Sequence, residues 1–269
     1  MIDIRQSKNY AKYMESLGWI VENGVFIKKL WFTSVVKAQR FSSLPDLFFL
    51  KKYHPVLIKL EPETCNLIPD GYRHDNWPLL PTKTIILDLK NINLPKDTKY
   101  EIRKASKLKN EESNNIEVFY KLLEETMKIG HWSVPIRKEV TNLWKAFQPN
   151  NSVILLCHSG LDPESIEIDS SIRWNDRMIA GCLLIWHGNT AHFMYAANTL
   201  SGRELGAAYL TLWEAIKFCQ KKGLKYLDLE GIYDERRPKD NKHWQGFTKF
   251  KMGWGGKMKE YPGSWTKYY

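Results

Sequence analysis

The chain has no apolar run approaching the ~20 residues that a membrane-spanning helix needs. Its opening Met1-Ile-Asp-Ile-Arg-Gln6 lacks the cationic start and apolar stretch of a secretory signal. A cytoplasmic protein is expected. Cysteine is scarce: Cys65, Cys157, Cys182 and Cys219 are far apart and form no Cys-x-x-Cys pair. Three of them sit in apolar segments, which argues for buried thiols rather than a disulfide framework or a zinc site. The seven histidines show no ligand spacing. His187 and His192 flank a turn, and His131, His158 and His243 have no near partner, so no metal is expected. Neither a Ser/His/Asp nor a Cys/His arrangement is visible, and no cofactor is implied. Acid is in deficit: 30 Asp+Glu against 40 Lys+Arg give a formal charge of +10. That balance favours polyanionic partners, with RNA, nucleotide diphosphates and anionic lipid headgroups all qualifying.

What is present suits a globular enzyme. With 269 residues, 43% of them hydrophobic, the chain can bury one large core or two modest ones. Apolar spacing predicts an amphipathic helix over 7–17, strands over 25–32 and 56–60, a short helix over 44–50, and a strand over 84–89. A helix is expected from Thr98, with Glu101 reaching back as in a capping box. Lys99, Arg103 and Lys107 share one face of it at four-residue spacing. Ile116, Phe119, Leu123 and Met127 mark one further helix, and Val140, Leu143, Trp144 and Phe147 another. Strands follow over 152–158, 178–187 and 191–197, the last two joined at Gly188-Asn189. A longer helix is expected over 204–222, ended by Gly223, and then a strand over 226–229. The polar, acidic stretch 159–171 reads as a surface insertion without a catalytic role.

The last fifth holds the densest signal. Tyr226-Leu-Asp-Leu-Glu-Gly-Ile232, Phe250-Lys-Met-Gly-Trp-Gly-Gly256 and Glu260-Tyr-Pro-Gly-Ser-Trp265 read as a strand, turn and strand series. Gly253, Gly255 and Gly256 suggest unusual dihedrals or a close approach of backbone, with Lys251 supplying a cation beside it. On local pattern alone the ordinary reading is a glycine-rich hairpin with a solvated lysine.

The order of these three segments resembles the C-terminal signature of the Fem family of peptidoglycan bridge-forming aminoacyltransferases. Thr84-Ile-Ile-Leu-Asp-Leu89 with Lys99-Tyr-Glu-Ile-Arg-Lys-Ala105 resembles the family's domain junction, and the segment from Gln6-Ser7 to Gly18-Trp19 its opening helix. The resemblance implies an α/β fold (an α+β mixed sheet) of tandem GNAT-like acyltransferase domains. The first, over 1–95, is short, the second spans 96–269, and no charged heptad pair supplies a coiled-coil arm. It implies transfer of an amino acid from aminoacyl-tRNA to the amine of a UDP-linked or lipid-linked peptidoglycan precursor, with contact at a membrane surface as a further expectation.

The same resemblance places Phe250 and Lys251 at the reaction centre, Lys251 stabilising the tetrahedral oxyanion. It makes Lys12, in Tyr10-Ala-Lys12, a phosphate ligand, where residue type alone gives an exposed helix lysine. Glu61, in Glu61-Pro-Glu63, would hold the acceptor amine, and Tyr195 would line the cleft. The arginine expected before the proline near 135 is replaced by Val134, leaving Arg137 as the nearest substitute. Lys99, Arg103 and Lys107 would hold tRNA phosphates, although a charge stripe is also what any solvated helix shows. Asp228, inside a strand, is assigned a structural hydrogen bond. The alternative is a CoA-dependent N-acyltransferase, because Arg203-Glu-Leu-Gly206-Ala-Ala208 matches the Arg-x-x-Gly-x-Ala loop that GNAT enzymes use for pyrophosphate.

Overall fold

The computed structural model describes residues 3–159, 178–238 and 242–269. One sheet has six strands: β1 (Ile20–Glu22), β2 (Val25–Leu30), β3 (Thr33–Gln39), β4 (Pro55–Glu61), β5 (Arg73–Asp75) and the chain's last strand, β13 (Ser264–Tyr268). Their order is β1-β2-β3-β4-β13-β5. The other sheet has seven: β6 (Lys83–Asp88), β7 (Lys109–Ser113), β8 (Ser152–His158), β9 (Met178–His187), β10 (Thr190–Asn198), β11 (Tyr226–Gly231) and β12 (Lys257–Glu260), in the order β12-β6-β11-β10-β9-β8-β7. The helices are α1 (Lys8–Ser16), α2 (Lys96–Lys104), α3 (Ile116–Ile129), α4 (Arg137–Phe147), α5 (Leu200–Glu204), α6 (Ala207–Lys221) and α7 (Gln245–Met252).

The centre of the larger sheet is buried on both faces: β9 is buried from Met178 to Trp186, and its alternating side chains serve opposite layers. Cys182 and Leu184 join Leu212, Ala215, Ile216 and Cys219 of α6, which recur at helical spacing. Leu183 and Ile185 face Phe119 and Leu123 of α3 and Val140, Leu143 and Phe147 of α4. The smaller sheet has its own core of Val25, Ile27, Val36, Ala38, Ile58 and Leu60. Three of the four cysteines are buried thiols. Among the described residues no helix is long and apolar enough to cross a membrane, and the longest, α6, has 15 residues.

The sheets exchange strands across the division expected near residue 95. β6, from the first segment, lies between β11 and β12, while β13, from the second, lies between β4 and β5. Each sheet therefore needs a strand from the other part of the chain. β3 was not anticipated; its hairpin turn holds Trp31 and Phe32, which extended the expected strand beyond Leu30. The short helix expected over 44–50 forms instead as a 3-10 turn over Phe48–Tyr53. The capping box at Thr98 does not form: α2 starts two residues earlier, and the buried Thr98 hydroxyl donates to the Gly253 carbonyl. The helix expected over 204–222 is interrupted at Gly206, whose φ of 71° separates α5 from α6. Residues 160–171 of the expected insertion lie outside the described residues.

The largest departure concerns Phe250-Lys251. They lie on the last turns of α7, not in a hairpin. Two of the glycines behind them behave as their density suggested, with φ 74° at Gly255 and 94° at Gly256, whereas Gly253 keeps a helical φ of −62°. A Cβ at Gly256 would come within 2.8 Å of the Ile86 carbonyl oxygen, so only glycine lets this turn lie on β6.

Candidate active site

β10 and β11 run parallel for only three pairs, Thr190↔Tyr226, Ala191↔Leu227 and His192↔Asp228. Past that point both depart from regular register: β10 shifts against β9 between Phe193 and Tyr195, and β11 shifts against β6 between Asp228 and Gly231. The opening thus lies at the carboxyl ends of two parallel strands, where open α/β sheets place their ligands. Glu230 takes φ 60° there. A left-handed dihedral costs a side-chain-bearing residue ~1–2 kcal/mol, and such strain concentrates at functional positions.

That backbone turn centres a buried charge network on Glu230. Its Oε2 accepts from the Arg5 guanidinium at 2.7 Å, its Oε1 lies 2.7 Å from His192 Nδ1, and its backbone N–H donates to Asp228 Oδ1 at 2.7 Å. The Thr84 hydroxyl lies against the Asp228 carboxylate and 2.8 Å from the Glu230 carbonyl oxygen. Asp3 completes the network, accepting from the Arg5 backbone at 2.9 Å and its guanidinium at 3.4 Å. Arg5, His192 and Asp228 are buried.

The environment drives the two carboxylates apart. Burial opposes the Glu230 charge, but Arg5 and His192 together outweigh it and hold this carboxyl well below the usual range. Asp228 is raised, by burial first and then by the charge of Glu230. Burial alone would depress His192 and Arg5, yet the bond to Glu230 with the neighbouring acids leaves both raised. Pairs of acids pushed apart in this way characterise sites that handle protons.

Lys251 approaches from α7. Its Nζ donates to the Gly231 carbonyl at 2.8 Å and lies 4.9 Å from the ring centre of Phe247, one helical turn back. Burial lowers its pKa to about 8, against the opposing pull of Glu230 and Asp228. An ammonium so placed is a strong donor at neutral pH and loses its proton within the range in which enzymes work.

Other expected residues are scattered. Phe250 packs on Tyr209 and Trp254, ring centres 5.0 and 6.1 Å away, and joins the core. Tyr195 lies near the network, and burial, with Glu139 and Glu230, pushes it up to about 12. Lys12 is exposed on α1. The buried Glu61 accepts from the Leu79 and Leu80 backbone amides and from Gln39, so its carboxylate anchors the 79–80 loop. Arg137 is a surface residue paired with Glu117 at 2.6 Å and Glu124 at 3.4 Å. Lys99 and Arg103 are exposed on α2, and Lys107 is exposed in the 3-10 turn after it. No hydrogen bond or ion pair joins Lys12, Glu61 or Arg137 to Glu230 or Lys251.

Sequence reasoning missed Asp3, Arg5, His192 and Glu230. One signal was available: Asp228 and Glu230 are two acids, two residues apart, in an otherwise apolar strand. Ligand atoms of His192, Asp228 and Glu230 lie within 4.8 Å of one another, a metal-ligand set by residue type that no histidine spacing disclosed. Arg5 already supplies its cation at 2.7 Å. Beyond Gly231 the chain leads to a cleft of about 420 Å³ lined by His74, Thr82, Asp234, Arg236, Arg237 and Tyr261. Asp234 there is held by Thr82 and Arg236, each at 2.6 Å.

A family model described as the FemAB family matches residues 164–269. No curated protein matches the chain. Among solved structures, FemX superposes with a TM-score of 0.76 at 15% identity, over 99% of this chain and 92% of its own. A DUF2156 domain from Agrobacterium fabrum gives 0.61 at 9% identity, over 98% and 88%. L-PGS from Bacillus licheniformis gives 0.58 at 12% identity, over 95% and 86%. The chain thus resembles the FemAB family over residues 164–269 and shares with FemX a tandem GNAT-like fold over 99% of its length.

Proposed function

We propose that the protein transfers an amino acid from aminoacyl-tRNA to the amine of a peptidoglycan precursor stem peptide. Fold alone does not fix a substrate. The observation that carries this reading is Lys251, an ammonium tuned to about 8 at the edge of the β10–β11 opening, within the segment matched by the FemAB model. In the reaction, the precursor amine attacks the aminoacyl ester and Lys251 exchanges its Gly231 bond for the carbonyl oxygen as that oxygen gains charge. The C–N bond forms, the ester C–O bond breaks, and the amine proton passes to the departing ribose oxygen. A preorganised donor of this kind is worth ~3–4 kcal/mol.

Phe250 shapes the wall behind Lys251 through Tyr209 and Trp254. Tyr195 borders the acceptor side and Lys12 takes an acceptor phosphate, while Lys99, Arg103 and Lys107 hold tRNA phosphates on the outer face of α2. Glu61 and Arg137 would have to release their present partners to serve the acceptor. The cleft past Gly231 gives the stem peptide room.

The CoA alternative is disfavoured at its own loop. Glu101 Oε2 lies 3.5 Å from where a Gly206 Cβ would stand, so a carboxylate faces the start of α6 where a pyrophosphate would bind. The test offers a mixed pool of charged, radiolabelled tRNA and, in parallel, labelled acetyl-CoA, each with a muropeptide precursor. Label passing from tRNA alone supports the proposal. Label from acetyl-CoA alone, or from neither, overturns it.

A further inference from the structure

The smaller sheet ends in a rim of exposed aromatics that neither the core nor the site uses. The β2–β3 turn is two residues long and consists of Trp31 and Phe32, 89% and 81% exposed. Their rings stack on each other, centres 5.6 Å apart at 28°. Trp31 takes φ 53°, a conformation that such hairpins normally assign to Asn or Gly, so a bulky ring is held out at a strained position with only the equally exposed Phe32 ring against it.

Neighbouring strands bring more apolar groups to the same end. Ser34 pairs with Pro55, and the Ser34 amide bonds the His54 carbonyl, which brings the end of the 48–54 segment beside the turn. Phe48, which opens the 3-10 turn leading into His54, is 73% exposed. Tyr268 pairs with Leu57 and the Tyr269 amide bonds the Val56 carbonyl, adding two exposed tyrosines. The nearby cations are lysines set against rings: Lys51 Nζ is 4.4 Å from the Phe48 ring centre, Lys267 5.1 Å from that of Tyr269, and Lys29 5.9 Å from that of Tyr53.

We propose that this rim, Trp31, Phe32, Phe48 and Tyr268 with Lys29 and Lys51, docks the protein on an anionic lipid bilayer. Projecting aromatics enter the headgroup boundary, and flexible lysine stems bring charge to lipid phosphates. Single-stranded RNA is the weaker fit, since Trp31 and Phe32 cover each other's faces and Leu30 and Val56 add aliphatic surface. β3 and β4 run from this rim to Gln39 and Glu61, a strand length of ~20 Å, so membrane docking and transfer are separable. The inference therefore stands independently of the proposed reaction.

The full chain is floated with vesicles of phosphatidylcholine alone or mixed with phosphatidylglycerol. Binding is expected only to the mixed vesicles. Trp31→Ser/Phe32→Ser should weaken it ~10-fold or more, and Lys29→Glu/Lys51→Glu should abolish its salt-sensitive part, with thermal unfolding unchanged in both. Transfer to a soluble precursor, assayed without vesicles, should be unaltered. Wild-type protein that stays unbound, variants that bind as wild type does, or a rim that binds RNA but no vesicle would each overturn the proposal.

Discussion

Arg5→Met tests whether the buried network is held by the Arg5–Glu230 pair. The two groups lie 2.7 Å apart with side-chain exposures of 6% and 14%, so removing the guanidinium strands a carboxylate that water barely reaches. Breaking one side of a buried pair costs ~3–5 kcal/mol. At about 2–4 °C per kcal/mol for a chain of this size, the melting point should fall by ~10 °C. Urea unfolding of Arg5→Met, Glu230→Gln and the double variant should show strong coupling, the double costing much less than the sum of the singles. The pH dependence follows from the depressed folded-state pKa of Glu230. Such a group contributes stability above its unfolded value, and that contribution is lost as pH falls through the folded one. In Arg5→Met the main stabilising cation is gone and burial lifts Glu230, so the deficit should be largest at pH 7 and shrink toward pH 5. A deficit below ~1 kcal/mol at pH 7, one constant with pH, or additive singles would refute the reasoning.

Lys251→Ala should lower transfer ~10²–10³-fold while leaving tRNA binding, measured by filter retention, close to wild type. If Lys251 acts as a protonated donor, the wild-type rate should fall as pH rises through about 8; a rise through the same range would make it a base instead. Replacing Lys99, Arg103 and Lys107 together with Gln should reduce the salt slope of tRNA binding by up to ~3. Gly256→Ala should destabilise by ~2–4 kcal/mol in chemical unfolding, because strain at φ 94° adds to the approach on Ile86. Gly188→Ala, with φ 56° and open space around it, should cost only the ~1–2 kcal/mol of the dihedral.

The sequence was legible where one element carries its own period. α1, α3 and α4 lie close to their apolar spacing, and β8 and β9 fall on the expected residues because uninterrupted apolar runs leave little else for them to form. α7 was missed for the opposite reason. Its residues Gln245–Met252 have weak amphipathic patterning and run straight into three glycines, so the turn after the helix masked the helix itself. The strand exchange could not be read locally either: β6 and β13 look the same whichever sheet they join, and only long-range pairing decides.

The network around Glu230 follows the same logic. Asp3 and Arg5 come from the chain's first turn, Thr84 from β6, His192 from β10 and Glu230 from β11, so each has an ordinary local explanation until the sheet brings them together. In sequence His192 only flanks a turn; in the sheet it stands opposite Asp228 at the last parallel pair. The same cross-sheet placement distinguishes Lys251 from a solvated surface lysine. Its ammonium reaches the carbonyl of Gly231, the residue after Glu230, so the strained backbone turn that presents the carboxylate also offers the lysine its resting partner. A substrate carbonyl competing for that ammonium would replace a neutral acceptor with one that gains negative charge during reaction. The exchange therefore favours the transition state over the resting site, which is the difference catalysis requires.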